Sequence, residues 1–87
     1  RRRNWAGNYQ CPCCDYFTFG EPGGYEICPV CRWEDDWHQT ENPPPDGGPN
    51  KVSLVQARRN FQELGAMESR FQRLVRPPLP DELPDTT

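Results

Sequence analysis

Two short turns, Cys11-Pro12-Cys13-Cys14 and Cys28-Pro29-Val30-Cys31, repeat one spacing within a chain of 87 residues. Each sets two thiols three positions apart with proline after the first. Such a turn aims both sulfurs at one point and leaves backbone N–H groups able to donate to them. Two of these turns make a tetrahedral set of four soft ligands. That is the donor set of a closed structural Zn²⁺ site, or of an iron centre of similar geometry. Cys11, Cys14, Cys28 and Cys31 are therefore the expected ligands of one metal ion, Zn²⁺ first and iron as the alternative. Cys13 stands at the variable position of its turn, matched by Val30 in the second, so it is the expected spare. It reads either as a small, soft, partly buried residue or as an accessory thiol, reactive only if it is exposed and ionised.

Composition explains why a metal would be needed. Leu, Ile, Val and Phe together number fourteen of 87 residues, too few for a comfortable core in a domain this small. A net charge of −3 and ten aromatic residues argue against disorder. Small domains in this position are stapled by disulfides or by metal. Five cysteines, an odd number, suit disulfides poorly. A redox-active C-x-x-C belongs at the start of a helix in a βαβ unit, whereas strand-forming aromatics follow directly here. His38, the one histidine, is an alternative ligand, although four thiolates already fill a structural shell.

The fold class these features predict is a small α+β metal-stabilised domain: a zinc-ribbon-like β-hairpin with two cysteine turns, followed by two short helices. Residues 1–8 form a basic arm. Residues 9–38 hold the hairpin, with "DYFTF" and "YEI" as strands around the turn "GEPGG", where glycine and proline supply the reversal. Residues 39–52 are a Pro- and Gly-rich loop. Residues 53–76 carry the helices. Ser53 and Gln56 have capping-box spacing, Leu54, Ala57, Phe61 and Leu64 recur at helical intervals, and Gly65 is the expected stop. A second helix is expected over 66–75, with Met67, Phe71, Leu74 and Val75 on one side. Residues 77–87, proline-rich and acidic, are expected to run extended and partly mobile. Tyr16, Phe17, Phe19, Tyr25, Trp33, Phe61 and Phe71 are the expected aromatic core.

Charge is divided along the chain. Between positions 12 and 50 eight acidic residues face Arg32 alone, while 51–76 carries six basic residues against two acidic. No nucleophile, base and orienting group stand together, and a closed thiolate site offers substrate no open position, so no enzyme activity is expected. Trp33, Glu34, Asp35, Asp36 and Trp37 form an acidic, tryptophan-bearing stretch, the expected recognition edge for a protein with a basic surface. The sharper version is an immunity-type inhibitor of a basic toxin or nuclease. The competing reading is a nucleic-acid-binding zinc ribbon acting through Arg58, Arg59, Arg70, Arg73 and Arg76. A blander one pairs those arginines with ribbon carboxylates inside the fold. No apolar run approaches the roughly 20 residues that span a bilayer, and the chain is read as a cytoplasmic protein with no membrane partner.

The ordered segments "CPCC", "YEICPVCRWEDD", "VSLVQARRNFQELGA" and "RFQRLVRPPLP" resemble the cysteine-rich CPCC family of small, mainly bacterial proteins. The resemblance carries over Cys11, Cys13, Cys14, Cys28 and Cys31 as the cysteine pattern and implies little about activity. The chain departs from familiar rubredoxin-like turns at Asp15 and Arg32, where glycine commonly follows the second cysteine.

Folding is expected to depend on metal, since structural zinc contributes about 10–16 kcal/mol of apparent binding free energy in small domains. Chelation should abolish the cooperative thermal transition. A dispersed amide spectrum that survives complete metal removal would contradict this.

Overall fold

Each cysteine turn closes on itself through the same pair of backbone bonds. In the computed structural model, which describes residues 1–36, 39 and 48–84, the Cys11 N–H donates to Tyr16 O at 2.8 Å and the Asp15 N–H to Cys11 O at 3.0 Å. The second turn repeats both bonds, Cys28 to Trp33 O and Arg32 to Cys28 O, each at 2.8 Å. Reversing the chain this tightly requires a left-handed residue after the second cysteine. Asp15 (φ 70°) and Arg32 (φ 78°) supply it without being glycine.

The hairpin expected between residues 15–19 and 25–27 is not found among the described residues. Phe19 bridges Tyr9, and Ile27 bridges Glu34, so each arm pairs within its own cysteine motif. Among the described residues pairing stops at isolated antiparallel bridges, a third joining Arg3 to Tyr9. The cysteine turns are themselves the reversals and use up their flanks as arms. The Phe17 N–H, which a hairpin partner would need, donates to Glu82 O at 2.8 Å instead. Tyr25, expected in the core, is 63% exposed and left-handed at φ 63°.

The helix α1 runs Leu54–Leu64 between an extended Ser53 and a left-handed Gly65. Ser53 Oγ accepts from the Gln56 N–H at 3.1 Å, but the Gln56 side chain turns forward to Asn60, so half of the capping box is made. Ala57 is fully buried under α1, and Leu54 and Phe61 pack at its edges. The expected second helix is reduced to one 3₁₀ turn, Ser69–Phe71. Inside the segment the Phe71, Gln72 and Leu74 N–H groups donate three residues back, to Glu68 O, Ser69 O and Phe71 O. Its flanks are tied to the second cysteine turn, the Met67 N–H to Cys31 O at 2.8 Å and the Arg76 N–H to Pro29 O at 3.1 Å. The segment wraps the second cysteine turn, and Leu74, assigned to its apolar side, is exposed.

Residues 77–84 dock on the first turn. A second 3₁₀ turn, Pro80–Glu82, presents Glu82 O to Phe17. The Glu82 carboxylate takes both guanidinium nitrogens of Arg76, at 2.8 and 2.9 Å, and the Leu79 N–H at 2.8 Å. Asn4 Nδ2 donates to Asp81 O and Leu83 O, each at 2.8 Å, while its Oδ1 accepts from the Ala6 and Asn8 N–H groups. The basic arm is thereby folded into a turn that grips the tail. Between the turns and α1 lies one core, the five cysteines with Phe19, Val30, Trp33, Ala57 and Met67. Among the described residues no helix is long and apolar enough to cross a membrane. The readings made for Trp37, His38, most of the Pro-rich loop and the last three residues lie outside the described residues.

The Arg76 hydrogen bonds hold the Glu82 carboxyl below its ordinary range. A depressed carboxylate stabilises the fold above its unfolded pKa, about 4.3 for glutamate, and the contribution is lost as pH falls through the lower folded value. Glu82→Ala is expected to cost about 1–3 kcal/mol at pH 7, and the difference from wild type should shrink towards pH 3. Urea melts of the two proteins at several pH values would check it.

Candidate metal centre

The two turns face each other so that Cys11 Sγ lies 3.7 Å from Cys31 Sγ, and Cys14 Sγ 3.8 Å from Cys28 Sγ. The four sulfurs all fall within 4.8 Å of one another and are buried. A tetrahedron with the Zn–S distance of about 2.3 Å has edges of about 3.8 Å, so the spacing fits one four-coordinate ion. Iron in four-thiolate coordination would suit the same donor set.

Electrostatics point the same way. Burial, then contact with Cys14 and Cys28, pushes the Cys11 thiol well up, and contacts led by Cys11 push Cys31 up. Cys28 moves down because Cys11, Cys14 and Cys31 surround its sulfur as donors. Without a cation, burial and mutual contact oppose gathering several thiolates at one point. A divalent ion removes the penalty on the remaining charges and displaces the protons.

The shell around the sulfurs supplies further donors. The Trp33 N–H points to Cys31 Sγ at 3.4 Å, and Thr18 Oγ1 to Cys28 Sγ at 3.2 Å. Bonds of this kind favour the charged thiolate and orient it. Thr18 was missed in the sequence reading. Its signal was a lone hydroxyl between Phe17 and Phe19, both of which are buried.

Cys13 belongs to the core and stands outside the four-sulfur group, buried like its counterpart Val30. Arg58 fixes the turn around it, donating to Pro12 O at 2.6 Å and to both Asp15 carboxylate oxygens at 2.7 and 2.8 Å. The left-handed Asp15 is thus tied to α1.

The expected recognition stretch divides in the structure. Trp33 is fully buried in the core, as is Asp35, whose Oδ2 accepts from Arg1 at 2.6 Å and the Gly23 N–H at 2.8 Å. Neither is available to a partner in this conformation. Asp36 accepts the Gln39 N–H at 2.8 Å. Glu34 is clamped through its backbone, the Asn50 amide accepting its N–H and donating to its C=O, each at 2.9 Å, while its side chain lines a surface concavity. Asn50 itself pairs with the buried Gln39 amide at 2.9 Å. Both residues were read only as loop.

A family model described as cysteine-rich CPCC matches residues 9–82, a stretch that spans both cysteine turns, α1 and most of the docked tail. The chain belongs to the cysteine-rich CPCC family. No curated protein matches it. As a CPCC protein it carries the family's cysteines in a single tetra-cysteine cluster plus one buried extra thiol.

Single Cys→Ser changes at positions 11, 14, 28 or 31 are expected to lose stoichiometric metal in native mass spectrometry, while Cys13→Ser keeps it. Because ion binding must displace protons from buried thiols, affinity should rise with pH and the ion should leave on acidification. Metal lost in the Cys13 variant alone would assign the wrong thiol.

Proposed function

We propose that this chain is a zinc-stapled, non-catalytic protein-interaction module that meets a basic partner surface. Support for a structural ion comes from the closed, buried geometry: four sulfurs fill a tetrahedral shell and leave no position for a substrate.

The observation that carries the interaction reading is Tyr25. It is a bulky aromatic residue held at positive φ and largely exposed, so intramolecular packing does not account for its strain. Strained backbone that packing does not explain is a reason to look for function. The loop before it is held by side chains, Glu26 accepting the Gly20 and Glu21 N–H groups and Asp35 accepting that of Gly23. An aromatic anchor is thereby presented on a braced loop beside exposed Ile27 and the acidic Glu21 and Glu26. This revises the recognition edge: Tyr25 takes the place of the buried Trp33 as an apolar contact, Trp37 lying outside the described residues, and the charge comes from the exposed glutamates with Glu34. Acidic side chains on such a rim would steer a basic partner.

A nucleic-acid partner has less support. Arg58, Arg70 and Arg76 are paired with Asp15, Glu68 and Glu82 of the same chain, which consumes much of the basic footprint that phosphate binding requires.

The test is affinity capture with the zinc-loaded chain, followed by titration of the captured protein. Tyr25→Ala is expected to weaken binding about 30-fold, the loss of an anchor of about 2 kcal/mol, and added salt should slow association. Capture of DNA or RNA that is abolished by replacing Arg59 and Arg73 would overturn the reading.

A further inference from the structure

The residue after Cys31 must be left-handed for the turn to close, a position glycine fills without strain. Here it is Arg32, at φ 78°. Its counterpart Asp15 has an evident task, since both carboxylate oxygens accept from Arg58. Arg32 has no such pairing. Among the described residues no carboxylate forms an ion pair with it, and its Nε is buried without a hydrogen-bond partner. A guanidinium N–H withdrawn from water with no protein acceptor is a cost that no hydrogen bond in the fold offsets.

The side chain forms one wall of a concavity of about 190 Å³, shared with Ile27, Glu34, Asn50, Arg70 and Phe71. The Arg32 guanidinium carbon lies 5.5 Å from the centre of the Phe71 ring, and that of Arg70 lies 4.2 Å from it. Arg70 is already committed, its Nε and Nη2 donating to Glu68 at 3.0 and 3.2 Å. The concavity therefore holds one uncommitted cation, an aromatic floor, an exposed aliphatic side chain and one carboxylate.

We propose that this concavity is a binding site for a monocarboxylate with a small apolar body, the carboxylate seated on the guanidinium of Arg32. The planar fork of arginine matches a carboxylate with two parallel bonds. A monocarboxylate can pair with Arg32 while meeting less repulsion from Glu34 on the wall than a phosphate dianion would. Phe71 and Ile27 provide apolar surface for the rest of the ligand, and the volume limits that body to a few carbon atoms. Two sources share this chemistry, a free short-chain acid and the C-terminal carboxylate of a peptide. The site stands whether or not Tyr25 anchors a partner.

The test uses the full, metal-loaded, ¹⁵N-labelled chain titrated with N-acetyl-leucine, N-acetyl-leucinamide, butyrate and inorganic phosphate. N-acetyl-leucine or butyrate is expected to give saturable amide shifts confined to residues around 27, 32–34 and 68–71, and the amide none at equal concentration. Tighter binding of butyrate assigns a free acid, and tighter binding of N-acetyl-leucine a peptide end. Arg32→Gly, which relieves the left-handed strain, should keep the folded spectrum and weaken the acid at least tenfold. Arg70→Gln should change it less than threefold. Equal binding of acid and amide, preference for phosphate, or unchanged binding by Arg32→Gly would each overturn the proposal. If Arg32→Gly does not fold, the acid-against-amide comparison on the wild-type chain decides alone.

Discussion

Four thiols packed within 4.8 Å of one another in a buried site coexist in one of two ways: mostly protonated, or gathered round a cation. Only the second turns their proximity into cohesion, because desolvation and mutual repulsion both oppose a set of bare thiolates. The remaining architecture is arranged around that point. With so few aliphatic residues, the chain draws its core from the sulfurs themselves and from Phe19, Trp33 and Met67 packed against them. Breaking the cluster would remove a ligand shell and the centre of the core together.

Backbone groups that would build sheet or helix in a larger domain are used here as lashings to the two turns. Met67 and Arg76 donate to carbonyls of the second turn, and Phe17 receives the tail. Arg58 ties α1 to Pro12 and Asp15, and Tyr16 meets Phe61 edge to face at 6.5 Å. Among the described residues this accounts for one long helix, α1, and isolated bridges. Each long-range bond fixes a segment against a turn whose geometry the metal would set, so order in the periphery follows from order at the centre.

Local signals in the sequence were reliable where the cause was local. The i and i+3 cysteine spacing brought the right four sulfurs together, and Ser53 and Gly65 bounded α1 as their side-chain and backbone preferences dictate. What could not be read depended on contacts distant in sequence. Apolar spacing over residues 66–75 is compatible with a helix, but the segment closes in bonds reaching three residues back, and its flanks are fixed to the distant carbonyls of Cys31 and Pro29. "DYFTF" and "YEI" have strand-forming side chains, yet the cysteine turns claimed their partners. "WEDD" looked like a surface charge run, but Asp35 lies against Arg1 and Gly23 from distant parts of the chain. The prolines of the tail suggested an extended segment. Its attachment rests on Asn4 and Arg76, residues with no sequence mark of that role.

The grip of Asn4 on the carbonyls of Asp81 and Leu83 places positions nearly eighty residues apart side by side. A fold entered and left at one spot behaves as a portable insert: it can be spliced into a surface loop of another protein with little strain on the host, and its ends can be joined and reopened elsewhere. Partners fused next to Asn4 and Leu83 would emerge close together, leaving the Tyr25 loop and the Arg32 concavity on one uninterrupted polypeptide between them.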